Sequence, residues 1–153
     1  MLTIRLATPP DAETIAAFNE AIARETEGKT LDPATIRAGV RGLLARRDLG
    51  FYLVAEDGGS LVGQLMITYE WSDWRNGLFW WIQSVYVVPE ARRKGVYRRL
   101  HVHVREMARR EKGICGLRLY VEKGNAVAQE TYRKMGMLET DYRLFEETWG
   151  GTR

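Results

Sequence analysis

The sequence predicts an α+β domain built on one twisted, mixed β-sheet. Three observations carry this. From Phe51 to Val88 the chain reads as three successive strands separated by turn residues. From about Leu78 to Glu122 it reads strand–helix–strand, a unit whose two strands run parallel through a right-handed crossover. Strand and helix periodicities follow one another along all 153 residues without a repeat, linker or low-complexity run, so one domain over 1–153 is expected.

Each element has its own signal. Leu2, Ile4 and Leu6 alternate with polar residues, as a half-buried strand does. Thr8-Pro9-Pro10-Asp11 breaks that strand and starts a helix along which Ile15, Phe18, Ala21 and Ile22 recur at helical spacing. Asp32 caps a second helix with Pro33 at its first position, and Ile36, Val40, Leu43 and Leu44 share a face. Phe51–Ala55 and Leu61–Glu70 are hairpin partners across Asp57-Gly58-Gly59-Ser60. Asn76-Gly77 turns into a third strand, Leu78–Val88, which stops at Pro89. Val96, Leu100, Val104, Met107 and Ala108 line a helix from about Gly95 to Lys112. A strand over Ile114–Glu122 follows, then a helix over Ala126–Met135 with Gly136 at its C-cap, then a last amphipathic strand over Met137–Trp149. The order is β-α-α-β-β-β-α-β-α-β.

Composition narrows the function. An apolar fraction of 45% supplies a core, and no apolar run is long enough to span a membrane. The alternating Met1–Leu6 segment does not read as a secretory leader, which makes a cytoplasmic address the expectation. Cys115 stands alone and is expected as a small buried residue; His101 and His103 lie two apart on a helix and share no face, so no metal site is expected. The net charge is only +3, yet nine Arg/Lys and two acids fall between Arg92 and Lys112. Such a local patch suits a specific anion better than bulk nucleic acid.

That patch sits where a strand ends and a helix begins. The first N–H groups of a helix have no internal partner, and its dipole adds partial positive charge there. Gly95 lets an anion approach the backbone, and Arg92, Arg93, Lys94, Arg98 and Arg99 surround it with charge. This is a cradle for a diphosphate. A solvated basic loop capping an ordinary helix is the competing reading of the segment taken alone.

Arg92-x-x-Gly95, after a strand ending Val85-Tyr86-Val87-Val88-Pro89, resembles motif A of the GCN5-related N-acetyltransferases (GNAT). The usual form ends in Gly or Ala where this chain has Tyr97. Asn125-Ala126-Val127-Ala128-Gln129-Glu130-Thr131-Tyr132 looks like motif B of the same family, with Asn125 and Tyr132 two helical turns apart. Thr68–Gly77 leading into Trp80–Val85 is similar to a bacterial subgroup of uncharacterised members.

The resemblance implies acetyl-CoA as co-substrate, bound by Val85, Tyr86, Val87, Arg92, Arg93, Lys94, Gly95, Val96, Tyr97, Arg98, Asn125, Ala128 and Tyr132. It implies direct transfer to an amine with no covalent enzyme intermediate. The backbone N–H groups of Val85 to Val87 would polarise the thioester oxygen, in a splay between parallel strands around Val87 and Tyr120. Tyr132 would return a proton to the departing thiolate, whose thiol has a pKa of roughly 8.5 against about 10 for tyrosine.

The general base is less defined. Many relatives carry a glutamate before the motif A loop, where this chain has Trp81, Gln83 and Ser84. Glu70 and Asp73 are the nearest carboxylates in sequence, to deprotonate an amine or merely to attract a cation; a solvated hairpin turn is the alternative for both. Glu25 and Glu27 end the first helix, where relatives place acceptor contacts. Of Trp80 and Trp81, one belongs to the core and the other, with Trp71 or Trp74, lines an acceptor pocket or a dimer contact. The expected acceptor is a small-molecule or peptide amine met by Glu25, Asp73, Trp71 and Gln83, with no nucleic acid, membrane or metal. A homodimer is open through the long last strand. A non-catalytic acyl-CoA-binding module is the alternative function, and DNA retention by the basic helix a remote third.

Overall fold

In the computed structural model, which describes residues 1–150, the alternating segments pair into one five-stranded sheet in the order β1-β2-β3-β4-β5. The strands are β1 (Leu2–Leu6), β2 (Gly50–Asp57), β3 (Ser60–Ser72), β4 (Gly77–Val87) and β5 (Ile114–Arg118). Three antiparallel pairings join β1 to β4, and β4 pairs parallel with β5. The helices are α1 (Ala12–Glu27), α2 (Pro33–Leu44), α3 (Val96–Arg110) and α4 (Ala126–Lys134). The sheet is mixed, as the sequence predicts. The chain forms two compact units, Met1–Tyr120 and the residues from Val121 on.

In the first unit β2 is an interior strand buried on both faces, because its two sets of alternating side chains meet different helices. Phe51, Leu53 and Ala55 pack with Leu65, Ile67, Trp80 and Ile82 beneath Val96, Leu100 and Val104 of α3. Tyr52 and Val54 pack beneath Ile15, Ala16, Val40 and Leu43 of α1 and α2. The start of α1 is anchored to the sheet. Arg5 of β1 donates to both carboxylate oxygens of Asp11, at 2.8 and 3.0 Å, and Asp11 accepts from the backbone N–H of Thr8. Gly28, in the left-handed region at φ 62°, ends α1. Asp32 caps α2 by accepting from the Thr35 N–H at 3.0 Å.

Two expectations change. The strand after α3 covers Ile114–Arg118 and not the whole of 114–122, and Cys115 on it is exposed, because β5 is the outermost strand of this sheet. Residues 137–149 form no strand. Leu144 and Phe145 are adjacent, so alternation cannot gather the apolar side chains on one face, and Leu138, Tyr142, Leu144, Phe145 and Trp149 are all exposed.

Candidate active site

The β4–α3 connection is built around backbone geometry. Val88 leads into a single 3-10 turn, Pro89–Ala91, after which Arg93 (φ 63°) and Gly95 (φ 80°) both take left-handed conformations. Gly95 is the N-cap of α3 and offers no side-chain cap, so the first N–H groups of the helix point into the loop without that partner. A methyl group on Gly95 would meet no atom within 4 Å. Glycine is required there by the left-handed backbone, not by crowding. Left-handed backbone at Arg93 and Gly95 thus brings the chain into a helix start whose first N–H groups lack a side-chain cap, a kind of terminus that favours anions.

The charged side chains of this loop divide. Arg93, Lys94, Arg98 and Arg99 are exposed. Arg92 turns back: its Nε donates to the Val87 carbonyl at 2.8 Å, its Nη2 donates to Glu25 at 2.7 Å, and its guanidinium lies 5.4 Å above the Tyr86 ring. Tyr86 also donates to Glu25, at 2.9 Å, and its ring packs at a tilt against Phe18, with centroids 5.1 Å apart. These bonds hold the Glu25 carboxyl below its ordinary range, with Arg92 the largest cause. Glu25, Tyr86 and Arg92, expected in two different roles, therefore form one cluster tying the end of α1 to β4.

Tyr97 is the second residue of α3. It lies one helical turn before His101, whose Nε2 accepts from Arg105 Nη2 at 3.2 Å. Because a guanidinium can only donate, the neutral ring carries its proton on Nδ1 and donates it to the Tyr97 hydroxyl at 2.9 Å. His101 is fully buried, and burial pushes its pKa down to about 4.

Beside the loop, β4 and β5 separate. Their pairing runs from Leu78↔Ile114 to Trp81↔Arg118 and stops, while β4 continues to Val87 against β3. The edge of β4 from 82 to 87 is thereby opened on the β5 side. Within this stretch the β3–β4 register shifts: Gln64 faces Tyr86 and Met66 faces Gln83, so Leu65 stands opposite both Ser84 and Val85. This is a β-bulge, and Ser84 within it has φ 50°.

The sheet face opposite α3 carries the remaining polar candidates. Gln83 donates to Thr68 at 2.7 Å. Glu70 accepts from the Trp81 indole at 3.0 Å and from Arg118 at 2.7 Å, and the indole bond is the leading reason its carboxyl sits below the usual range. Tyr120 lies 6.0 Å from the Trp81 ring. Trp80 points into the core and Trp81 to this face, as alternation requires. Trp71 does not join them. It follows Glu70 by one residue in a regular ladder and so faces the other way, 60% exposed. Asp73 lies in the exposed turn between β3 and β4. A surface groove of about 470 Å³ between β1 and α3, lined in part by Ile4, Arg99 and His103, lies at the opposite edge of the sheet from this gap.

In the second unit, Asn125 caps α4 by accepting from the Ala128 N–H at 3.1 Å. Gln129 donates to the carbonyls of Glu122 and Lys123 at 3.0 and 2.9 Å, which fixes the turn before the helix. Burial raises the pKa of the Tyr132 hydroxyl, so it is held as the protonated phenol.

Sequence reading missed Gln64, Thr68, Arg118 and the His101–Arg105 pair. His101 and Arg105 are spaced four apart on a helix, a signal available in the sequence. Arg118 joins Glu70 across 48 residues, and no local pattern announces that.

The acetyltransferase (GNAT) family model matches residues 15–137. The chain belongs to the GNAT acetyltransferase family. The structure of a "possible acetyltransferase" from Clostridium difficile 630 is 46% identical, superimposes with a TM-score of 0.91, and the match covers 97% of this chain and 98% of that one. Two remoter structures share the GNAT fold. A predicted acetyltransferase from Clostridium acetobutylicum, solved with acetyl-CoA, is 18% identical over 96% of each chain with a TM-score of 0.78. AAC(6')-Iy, in complex with the bisubstrate analogue CoA-S-monomethyl-acetylneamine, is 16% identical over 98% of this chain and 99% of that one, also with a TM-score of 0.78. No protein of curated function matches the sequence. The uncapped start of α3 and the end of the β4–β5 pairing thus lie in a GNAT acetyltransferase domain.

Proposed function

We propose that this protein transfers the acetyl group of acetyl-CoA directly to a primary amine, with both substrates bound at once. One observation carries the reading: the donor-lined, uncapped start of α3 adjoins a gap where β4 has lost its parallel partner. The diphosphate would lie on the backbone of Arg93 to Arg98, with Arg93, Lys94 and Arg98 supplying charge. The pantetheine arm would run along β4 and bond to the backbone of Val85 and Val87. We assign Asn125 and Ala128 to the same substrate and Tyr132 to protonation of the leaving thiolate, a task suited to a phenol held neutral by burial.

The acceptor would enter on the face of Glu25, Gln83 and Glu70. Glu70 and Glu25 are each paired with an arginine and held ionised, which suits attracting a cationic amine better than taking its proton. A small cationic molecule or a peptide amine fits this face. The amine, neutral at the moment of attack, would add to the thioester carbonyl; the C–S bond would break as Tyr132 hands its proton to sulfur, and the proton shed by the new amide nitrogen would pass through water to restore the Tyr132 phenol. A cytoplasmic, acetyl-CoA-rich setting is the matching compartment. A homodimer covering the exposed apolar residues of 138–149 is part of this reading, and light scattering of the purified protein tests it.

The test is release of CoA from acetyl-CoA in the presence of a panel of polyamines, aminoglycoside-like amines and amino-terminal peptides. Amine-dependent release with a mass gain of one acetyl group on the amine supports the enzyme. Tight CoA binding with no transfer to any amine would instead assign an acyl-CoA-binding module, the alternative favoured by the lack of a carboxylate base on β4.

A further inference from the structure

We infer that Gln64 is a positioning residue that holds the β4 bulge in the shape needed to grip the acetyl thioester. The inference rests on the proposal that acetyl-CoA lies along β4. Gln64 is fully buried in the middle of β3, beside Val54 of β2, which is also fully buried. Its Nε2 donates to the Ser84 carbonyl at 3.1 Å, while its Oε1 is buried without a partner. A half-satisfied amide in an apolar setting is less stable than a methionine or leucine of the same volume. Its presence is therefore not explained by packing.

Its partner is strained as well. Ser84 takes φ 50°, a conformation that favours glycine and is costly for serine. The bulge leaves one extra residue outside the β3–β4 ladder, and the Gln64 amide supplies the Ser84 carbonyl with the bond the ladder no longer gives.

The bulge has a clear consequence for β4. Before it, Trp80 and Ile82 face the α3 core, and Gln83 faces Thr68 on the other side. Strict alternation would send Val85 to the side of Gln83. After the bulge Val85 and Val87 pack with the α3 core, and Tyr86 reaches Phe18 and Glu25. One extra residue thus resets the phase of the strand from Val85 on. It does so three residues beyond Trp81, the last position at which β5 still pairs. The backbone groups re-aimed by Ser84 lie at the mouth of the gap, and Gln64 locks them from behind.

The test compares binding of acetyl-CoA and of CoA by calorimetry, in the wild type and in Gln64→Met, Ser84→Gly and the double variant. Thermal unfolding of the same samples checks folding. Gln64→Met should weaken acetyl-CoA by about 3- to 10-fold, the worth of one hydrogen bond, and change CoA by less than about 2-fold. The double variant should recover acetyl-CoA affinity, since glycine holds the left-handed backbone unaided. Equal losses for both ligands, no loss, or no recovery in the double variant overturns the inference. If the wild type binds neither ligand, the acetyl-CoA reading falls separately. Amide exchange at Ser84 and Val85 by NMR then decides on Gln64, with faster exchange in Gln64→Met and recovery in the double variant expected, and unchanged exchange refuting the role.

Discussion

His101 makes the stability of this domain depend on pH between about 4 and 6.5. It is fully buried in α3, and its pKa falls from 6.5 to about 4, chiefly through burial and secondarily through Arg105. Protonation would place a second N–H on Nε2, directly against the Arg105 guanidinium 3.2 Å away. The unfolded chain takes up this proton near pH 6.5, and the folded chain resists until about pH 4. Stability is therefore complete above pH 6.5, declines as pH falls, and stops declining below about pH 4. Each pH unit in that window is worth about 1.4 kcal/mol, so lowering the pH from 7.5 to 5 removes about 2 kcal/mol. Unfolded carboxylates titrate near pH 4, so most stay ionised at both ends of the pH 7.5 to 5 comparison. For a domain of this size the change corresponds to a fall in Tm of roughly 4–8 °C. His101→Gln keeps a polar group of similar reach and removes the titration. Urea unfolding at pH 7.5 and pH 5 should show the loss in the wild type and less than about 0.5 kcal/mol of it in the variant. Parallel losses in both proteins would refute the assignment to His101.

Other substitutions separate backbone, charge and chemistry. Gly95→Ala meets no atom, so its cost in unfolding experiments is conformational, about 1 kcal/mol, whereas CoA affinity should fall more than about 10-fold if the loop backbone seats the diphosphate. Glu25→Gln breaks an ion pair in which both side chains are over 40% exposed; it should cost under about 1 kcal/mol and tighten CoA by roughly 2- to 5-fold as Arg92 is released, with weaker binding counting against a role for Arg92. Once an acceptor is identified, Tyr132→Phe should lower kcat by about 10²-fold or more with little change in KM for acetyl-CoA, and an unchanged kcat would remove Tyr132 from the mechanism. Gly50→Ala places a Cβ 2.0 Å from the Ile67 carbonyl oxygen across β2 and β3, and should destabilise by about 3 kcal/mol or prevent folding, read by circular dichroism.

Local periodicity was enough to identify the five sheet strands, the four helices and the loop that leads into α3. The alternation of Leu2–Leu6 and Phe51–Ala55, the cap at Asp32 and the spacing of Val96, Leu100 and Val104 each act within one or two turns of chain, so they are readable without a partner. The same holds for Arg92-x-x-Gly95, whose left-handed N-cap is a property of the local backbone. Pairing is not local. Alternation could assign Trp80 and Trp81 to opposite faces, but only the β3 and β5 ladders on either side of β4 decide that Glu70 and Arg118 meet beside the second one. Arg92 reads as a free charge until Glu25, 67 residues earlier, is found holding it. The bulge at Ser84 leaves no mark in the residues around it, because a bulge is a mismatch in count between two strands. Its signal is Gln64, twenty residues away in sequence and one hydrogen bond away in space.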